Sequence, residues 1–185
     1  MVVAALAASF HACGAASSRP TICNGVGCTC TDANCTCAAS MTCQAICSTS
    51  GCALTCDSAA KCSALAMGPA SVTCRDTPEC TSEGGDHSVI VCDGSAKCEL
   101  KAGADSTATC KGSASCKLSM GARSTVVCEA GSSCDVKCEG GCSVTCAAGV
   151  TCPVDCGADA AAPVNYSDGR VVCGDCAPMD ASTAQ

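Results

Sequence analysis

Over much of the chain, residues suited to a core and residues suited to water alternate one by one for about five positions, and a glycine or serine then closes the stretch. In Ser124-Thr-Val-Val-Cys128, Ser124, Val126 and Cys128 fall on one side, and Thr125 and Val127 on the other. In Ser115-Cys-Lys-Leu-Ser119, Cys116 and Leu118 share a side, leaving Ser115, Lys117 and Ser119 outside. A period of two marks a strand buried on one face, and the Gly-Ser or Gly-Ala pair before each stretch supplies a corner.

The stretches repeat. Cys56, Cys74, Cys92, Cys110, Cys128 and Cys146 recur every 18 residues, each with a second cysteine six positions later at Cys62, Cys80, Cys98, Cys116, Cys134 or Cys152. Gly85, Gly94, Gly103, Gly112 and Gly121 fall every ninth residue, so each period is two nonapeptide halves. Self-similarity at a fixed period is the mark of a stacked repeat architecture. The pattern predicts an all-β fold, a parallel β-solenoid of the two-sheet β-roll type, with 18-residue coils and one Cys-x5-Cys disulfide per coil. Six coils at about 4.8 Å each make a rod on the order of 30 Å long.

Each Cys-x5-Cys pair spans one glycine corner with both sulfurs inward, which favours bridges within coils: Cys56-Cys62, Cys74-Cys80, Cys92-Cys98, Cys110-Cys116, Cys128-Cys134 and Cys146-Cys152. Cys37-Cys43 begins that ladder, and Cys47-Cys52 and Cys138-Cys142 staple the opposite corner. Bridges joining successive coils are the competing arrangement. Cys23 with Cys28 and Cys30 with Cys35 are neighbouring pairs, which leaves Cys13, Cys156, Cys173 and Cys176 without an assigned partner. A closed loop of this size contributes roughly 2 to 3 kcal/mol by chain entropy.

Composition explains why staples are needed. The 185 residues include 26 Cys, no Trp, one Tyr and one Phe, so the aromatic side chains that dominate ordinary cores are missing. Such cysteine density reads as a disulfide scaffold formed in an oxidising compartment, predicting a secreted or cell-envelope location. A net charge of −7 with ten Lys and Arg argues against nucleic-acid binding, which needs clustered positive charge. Residues 1–12 read as an export signal whose basic beginning is missing, as in a truncated start. Residues 13–36 read as a linker and cysteine-rich N-terminal cap, 37–156 as the solenoid, and 157–185 as a C-terminal cap and tail.

Catalysis finds little support. The histidines are His11, in the signal, and His87, at a corner beside Asp86, and no nucleophile constellation accompanies either. The expectation is a protein that is not an enzyme and carries no cofactor. Cys173-Gly-Asp-Cys176 has redox spacing without a surrounding βαβ pattern, so a terminal staple is favoured. The nonapeptide period resembles the calcium-binding β-roll of secreted bacterial toxins, but that family places an Asp in every turn. The corners here read Asp93-Gly-Ser-Ala, Lys111-Gly-Ser-Ala and Met120-Gly-Ala-Arg, so calcium is not expected. Cys28-Thr-Cys30 and Cys35-Thr-Cys37 resemble metallothionein spacing, which implies thiolate metal binding, although most cysteines follow a strand register instead.

The segment His11-Ala12-Cys13-Gly14 is similar to a bacterial lipoprotein cleavage site, which implies lipid on Cys13 and membrane attachment through it. Phe10 and His11 depart from that family's box, and an ordinary disulfide at Cys13 is the alternative. Lipid on Cys13 would leave three unassigned cysteines, an odd number. With the cysteine repeat, this start resembles the repetitive surface lipoproteins of myxobacteria.

The two outer faces differ. One carries Ala53, Thr55, Ser71, Thr73, Val89, Val91, Thr107, Thr109, Thr125, Val127, Ser143 and Thr145, none of them charged. Its opposite carries Lys61, Glu79, Glu83, Lys97, Glu99, Lys101, Lys117, Asp135, Lys137 and Asp155. An uncharged Thr-rich face joined to a bridge in each coil resembles the disulfide-laddered antifreeze solenoids of beetles, over residues 43–156. That resemblance implies ice as the ligand of the flat face. Those solenoids have shorter coils and a more uniform Thr-x-Thr array, which Ala53, Val89 and Val91 interrupt here. Contact with a surface polymer or with another copy of the chain is a second reading of the face, and ordinary strand composition is a third. The leading expectation is a non-catalytic secreted or cell-surface structural or binding protein. Ice binding is the alternative, and thiolate metal binding comes after it.

Overall fold

The structure is a computed structural model that describes residues 21–48, 51–157 and 162–174. The expected signal segment and the cysteines at positions 13 and 176 lie outside the described residues. What alternation and glycine corners dictate is an all-β solenoid of two parallel sheets, and no helix occurs among the described residues.

Sheet I contains seven parallel strands: β4 (Thr42–Cys47), β6 (Lys61–Ala66), β8 (Cys80–Gly84), β10 (Lys97–Ala102), β12 (Ser115–Gly121), β14 (Ser133–Glu139) and β16 (Val154–Asp155). Sheet II contains seven more: β3 (Asn34–Cys37), β5 (Cys52–Asp57), β7 (Ala70–Arg75), β9 (Val89–Asp93), β11 (Thr107–Cys110), β13 (Ser124–Cys128) and β15 (Cys142–Cys146). The chain alternates between the sheets at every corner, making about seven turns. From β5 onward, equivalent residues of sheet II are 18 apart, as in Cys92 beside Cys110 and Cys110 beside Cys128. The first step differs, because Cys37 lies beside Cys56 and Cys43 beside Cys62, each 19 residues on. One extra residue sits in the first corner between β4 and β5.

Antiparallel strands close the ends. β1 (Ile22–Asn24) pairs with β4, and β2 (Cys28–Thr31) folds back on β3. At the other end β18 (Arg170–Cys173) pairs with β15, and β17 (Val164–Asn165) with β18. Sheet I ends in the two-residue β16, immediately after Pro153. Short, reversed and proline-flanked edges hinder the pairing with another chain that an open parallel edge invites.

Each strand buries alternate residues between the sheets. Inward positions of a coil complement one another in size in three cases, Ala64 with Val72, Ser82 with Ile90 and Leu100 with Ala108, whereas Leu118 shares its coil with Val126, all of them buried. Pairing large with small keeps the intersheet gap constant with no aromatic filler. Ser82 is the exception in chemistry, since its Oγ is buried with no hydrogen-bond partner among the described residues. Replacing Ser82 by Ala removes an unsatisfied hydroxyl with little change in volume. The expected result is a gain of about 1 kcal/mol in denaturant unfolding, and a loss of stability would mean that the hydroxyl has a partner.

Disulfides line one corner. The structure joins Cys37 to Cys43, Cys56 to Cys62, Cys74 to Cys80, Cys92 to Cys98, Cys110 to Cys116, Cys128 to Cys134 and Cys146 to Cys152, with Cα atoms 5.8 to 6.4 Å apart. Among the described residues the opposite corner is bridged only toward the two ends, by Cys47–Cys52 and by Cys138–Cys142, on which the cap bond Cys156–Cys173 stacks. Between these clamps the column that holds Cys52 and Cys142 continues as Ala70, Ser88, Ser106 and Ser124, all buried. The serines form a ladder along the rod. The amide of Ala70 donates to Ser88 Oγ at 3.2 Å, that of Ser88 to Ser106 Oγ at 3.0 Å, and that of Ser106 to Ser124 Oγ at 3.2 Å. Each hydroxyl donates in turn to a backbone carbonyl: Ser88 to Gly85, Ser106 to Ala104 and Ser124 to Gly103. Buried amides at a corner, which no strand partner reaches, are thereby satisfied.

The caps carry the remaining bridges, Cys23–Cys28, Cys30–Cys35 and Cys156–Cys173. Cys173 thus reaches back 17 residues rather than closing the short Cys173-Gly-Asp-Cys176 loop. All 24 described cysteines are in disulfides, a degree of cross-linking typical of extracellular proteins.

Candidate functional site

Because β-strands place alternate residues on opposite faces, the strict register of sheet II turns twelve scattered positions into two straight files. One file runs Ala53, Ser71, Val89, Thr107, Thr125, Ser143, and the other Thr55, Thr73, Val91, Thr109, Val127, Thr145. Neighbours along a file are one strand spacing apart, about 4.8 Å, and the files are two residues apart, about 6.6 Å. All twelve point outward. Thr55, Ser71, Val89 and Thr125 are exposed, Val89 to 47%, and the other eight are half-buried among their neighbours.

The strip is longer by one coil than the sequence register showed. Asn34 lies beside Ala53 and Thr36 beside Thr55, so β3 adds a rank, and Thr36 Oγ1 lies 2.9 Å from Thr29 Oγ1 on the capping strand β2. The signal was present in Asn34-Cys-Thr-Cys37, whose alternation matches every later strand, but the 19-residue first step hid it. At the far end Arg170 of β18 lies opposite Thr145 and closes the uncharged run. Its guanidinium sits 4.8 Å from the centre of the Tyr166 ring and bonds Asp168 through Nε at 2.7 Å.

Charge borders the strip on both sides. At the disulfide corner Asp57, Arg75, Asp93 and Lys111 form a file of alternating sign, with Arg75 3.5 Å from both Asp57 and Asp93, and Lys111 3.4 Å from Asp93. Burial alone would raise the Asp93 carboxyl. The Gly94 amide, Lys111 and Arg75 outweigh it and hold the group below its usual range. At the other corner Arg123 donates from Nε to Asp105 at 2.8 Å, and this bond holds the Asp105 carboxyl low. Both residues have left-handed backbones, as does His87 one coil earlier. His87 is exposed, and its neighbour Asp86 accepts from the amide of Ala104 at 2.7 Å, so this Asp closes a corner.

The outer face of sheet I is different in kind. A shallow trough of about 470 Å³ runs along it, lined among others by Glu83, Glu99, Lys101, Lys117, Asp135 and Lys137. Lys101 lies 3.8 Å from Glu83, Lys117 lies 3.7 Å from Glu99, and Lys61 pairs with Glu79. Exposed pairs of this sort contribute about 0 to 1 kcal/mol each. Opposite charges therefore answer one another within this face, and it remains well hydrated.

Sulfur atoms cluster as well. Cys56, Cys62 and Cys74 bring their Sγ atoms within 4.8 Å of one another, as do Cys92, Cys98 and Cys116, and Cys128, Cys134 and Cys152. Metal ligation requires thiolates, whereas every one of these sulfurs is in a disulfide. The thiolate-metal reading therefore has no available ligand sulfur among the described cysteines.

The structure shows a parallel β-solenoid with many disulfides. Comparison with protein-family models, with curated proteins and with solved structures gives no match in any of the three.

Proposed function

We propose that this is a non-catalytic extracellular or cell-surface protein, a rigid stapled rod that docks through the strip on sheet II onto a regular, extended surface. The observation that carries this reading is a two-file, seven-rank array of Asn, Ala, Ser, Thr and Val with no charge inside it, a file of alternating charge along one border and the Asp105–Arg123 pair on the other. Strand spacing makes the strip about 29 Å long and about 10 Å wide, on the order of 300 Å². A stable protein interface takes about 800 Å² from each partner. So narrow a contact suits a repetitive solid, such as an ordered polysaccharide, on which many small identical contacts add up.

Ice is the second reading, and the same array favours it. Methyl and hydroxyl groups at fixed spacing on a stiff backbone can hold water in a repeated arrangement, and the sheet loses little conformational entropy on contact. Thr107 and Thr109 supply a full Thr-x-Thr rank, whereas Val89 and Val91 supply a wholly apolar one.

Thr109→Lys with Thr125→Lys tests both readings, since each puts an ammonium group in the middle of the strip without touching the core. The wild type should co-sediment with crystalline cellulose, chitin or peptidoglycan, and the variant should lose at least tenfold in binding with its sheet spectrum and bridges unchanged. Facetted ice growth with wild type, abolished in the variant, moves the assignment to ice. If wild type neither sediments nor shapes ice, or if the variant behaves like wild type, the strip is not a docking face.

A further inference from the structure

The sulfur triads each unite one intact bridge with a sulfur from a different bridge. Cys152, of the terminal Cys146–Cys152 bond, lies within 4.8 Å of both sulfurs of Cys128–Cys134. Cys23, of the cap bond Cys23–Cys28, stands in the same relation to Cys30–Cys35. Burial is graded along the rod. Cys23, Cys28, Cys30, Cys146 and Cys152 are half-buried, whereas Cys56, Cys62, Cys74, Cys92 and Cys110 are wholly enclosed.

We infer that the stacked bridges form a thiol–disulfide relay, in which a thiol produced at a half-exposed end bond passes its reduced state inward to a bond no solvent reductant can reach. A small dithiol in the surroundings reduces Cys146–Cys152 by exchange, giving two thiols and becoming a cyclic disulfide itself. Cys152, released from Cys146, loses its proton to water. A side-chain rotation brings its sulfur from within 4.8 Å to the roughly 3 to 3.5 Å needed for reaction. Its lone pair forms a bond to one sulfur of Cys128–Cys134. The other sulfur departs with the bonding pair and takes a proton from water, so no net oxidation accompanies the second step. The result is a bond between coils and a free thiol one coil further in. Deeper in the rod, a separate triad sets Cys116, of the Cys110–Cys116 bond, in the same relation to Cys92–Cys98.

Replacing one member of the end bond tests the relay without any reductant. In Cys146→Ala, Cys152 is a permanent thiol beside Cys128–Cys134. Alkylation at about pH 8.5, where a free thiol is half ionised, followed by peptide mapping should place most of the label on Cys128 or Cys134, with Cys152 in a non-native bridge. In Cys152→Ala, the remaining thiol is Cys146, which is not part of the triad, and the label should stay on Cys146. Label confined to Cys152 in the first variant overturns the relay, and so does equal redistribution in both, because exchange then does not depend on the sulfur triad. Should either variant fail to fold, brief treatment of the wild type with less than one equivalent of dithiol gives the same decision. Label on Cys146 together with Cys128 or Cys134 supports the relay, and equal label on Cys146 and Cys152 with Cys128–Cys134 intact overturns it.

Discussion

Excess reductant at about 25 °C, in the absence of denaturant, should abolish the sheet spectrum of this protein, while the oxidised form should keep it beyond about 90 °C, the range of hyperstable domains. The largest fully buried side chains are Leu54, Ile90, Leu118 and Met120, with no aromatic among them. Most intersheet positions hold Ala, Val or Cys, each of which removes little apolar area from water. Against this, a bridge closing a loop of about seven residues withdraws roughly 2 kcal/mol of chain entropy from the unfolded state. Twelve bonds are present among the described residues, all but Cys156–Cys173 closing short loops of this kind, and a typical domain is stable by only about 5 to 15 kcal/mol in all. Removing one central bond, by Cys92→Ala with Cys98→Ala, should cost about 2 to 4 kcal/mol and leave the fold intact. Circular dichroism with and without reductant decides the matter. A cooperative melt in the fully reduced chain would show that the aliphatic stack suffices on its own.

The second large effect is steric. A Cβ on Gly121 would lie 2.5 Å from the carbonyl carbon of Gly103 and 2.6 Å from the amide nitrogen of Ala104, one coil below. Neither contact can yield, because both atoms are backbone held at the strand spacing. Gly121→Ala should therefore destabilise by about 3 kcal/mol and open the hydrogen bonds of that corner. Gly149 is the control. It has a left-handed φ of +79°, yet a Cβ there would meet no atom within 4 Å, so Gly149→Ala should cost only about 1 kcal/mol. Equal losses in thermal or denaturant unfolding would mean that backbone conformation, not crowding between coils, fixes the glycines.

The solenoid was legible because each coil restates the same constraints. Alternation set which residues face inward, the 18-residue interval set the register, and the glycines marked the corners. The strip followed from the register, since Thr109 and Thr125 can be placed on one face as soon as Cys110 and Cys128 are aligned. What does not repeat was not legible. The antiparallel capping strands β1, β2, β17 and β18 occur once each, and the partner of Cys173 is chosen by the return of β18 onto β15 rather than by any spacing. Asn34 and Thr36 escape the period because one additional residue in the first corner displaces them from it. The serine ladder was half visible. The inward side of Ser124 could be read from alternation, but the bond from the amide of Ser106 joins residues 18 apart and exists only once the coils are stacked.

The placement of the second-corner bridges bears on how such a molecule can change over generations. Cys47–Cys52 and Cys138–Cys142 sit toward the two ends, and the interval between them is held by Ala70, Ser88, Ser106 and Ser124, which ask nothing of a residue beyond the adjacent turn. A tandem duplication or deletion of one 18-residue unit in that interval preserves every local contact and both terminal clamps. Length is thereby uncoupled from foldability, and natural selection can tune the reach of the rod one unit at a time.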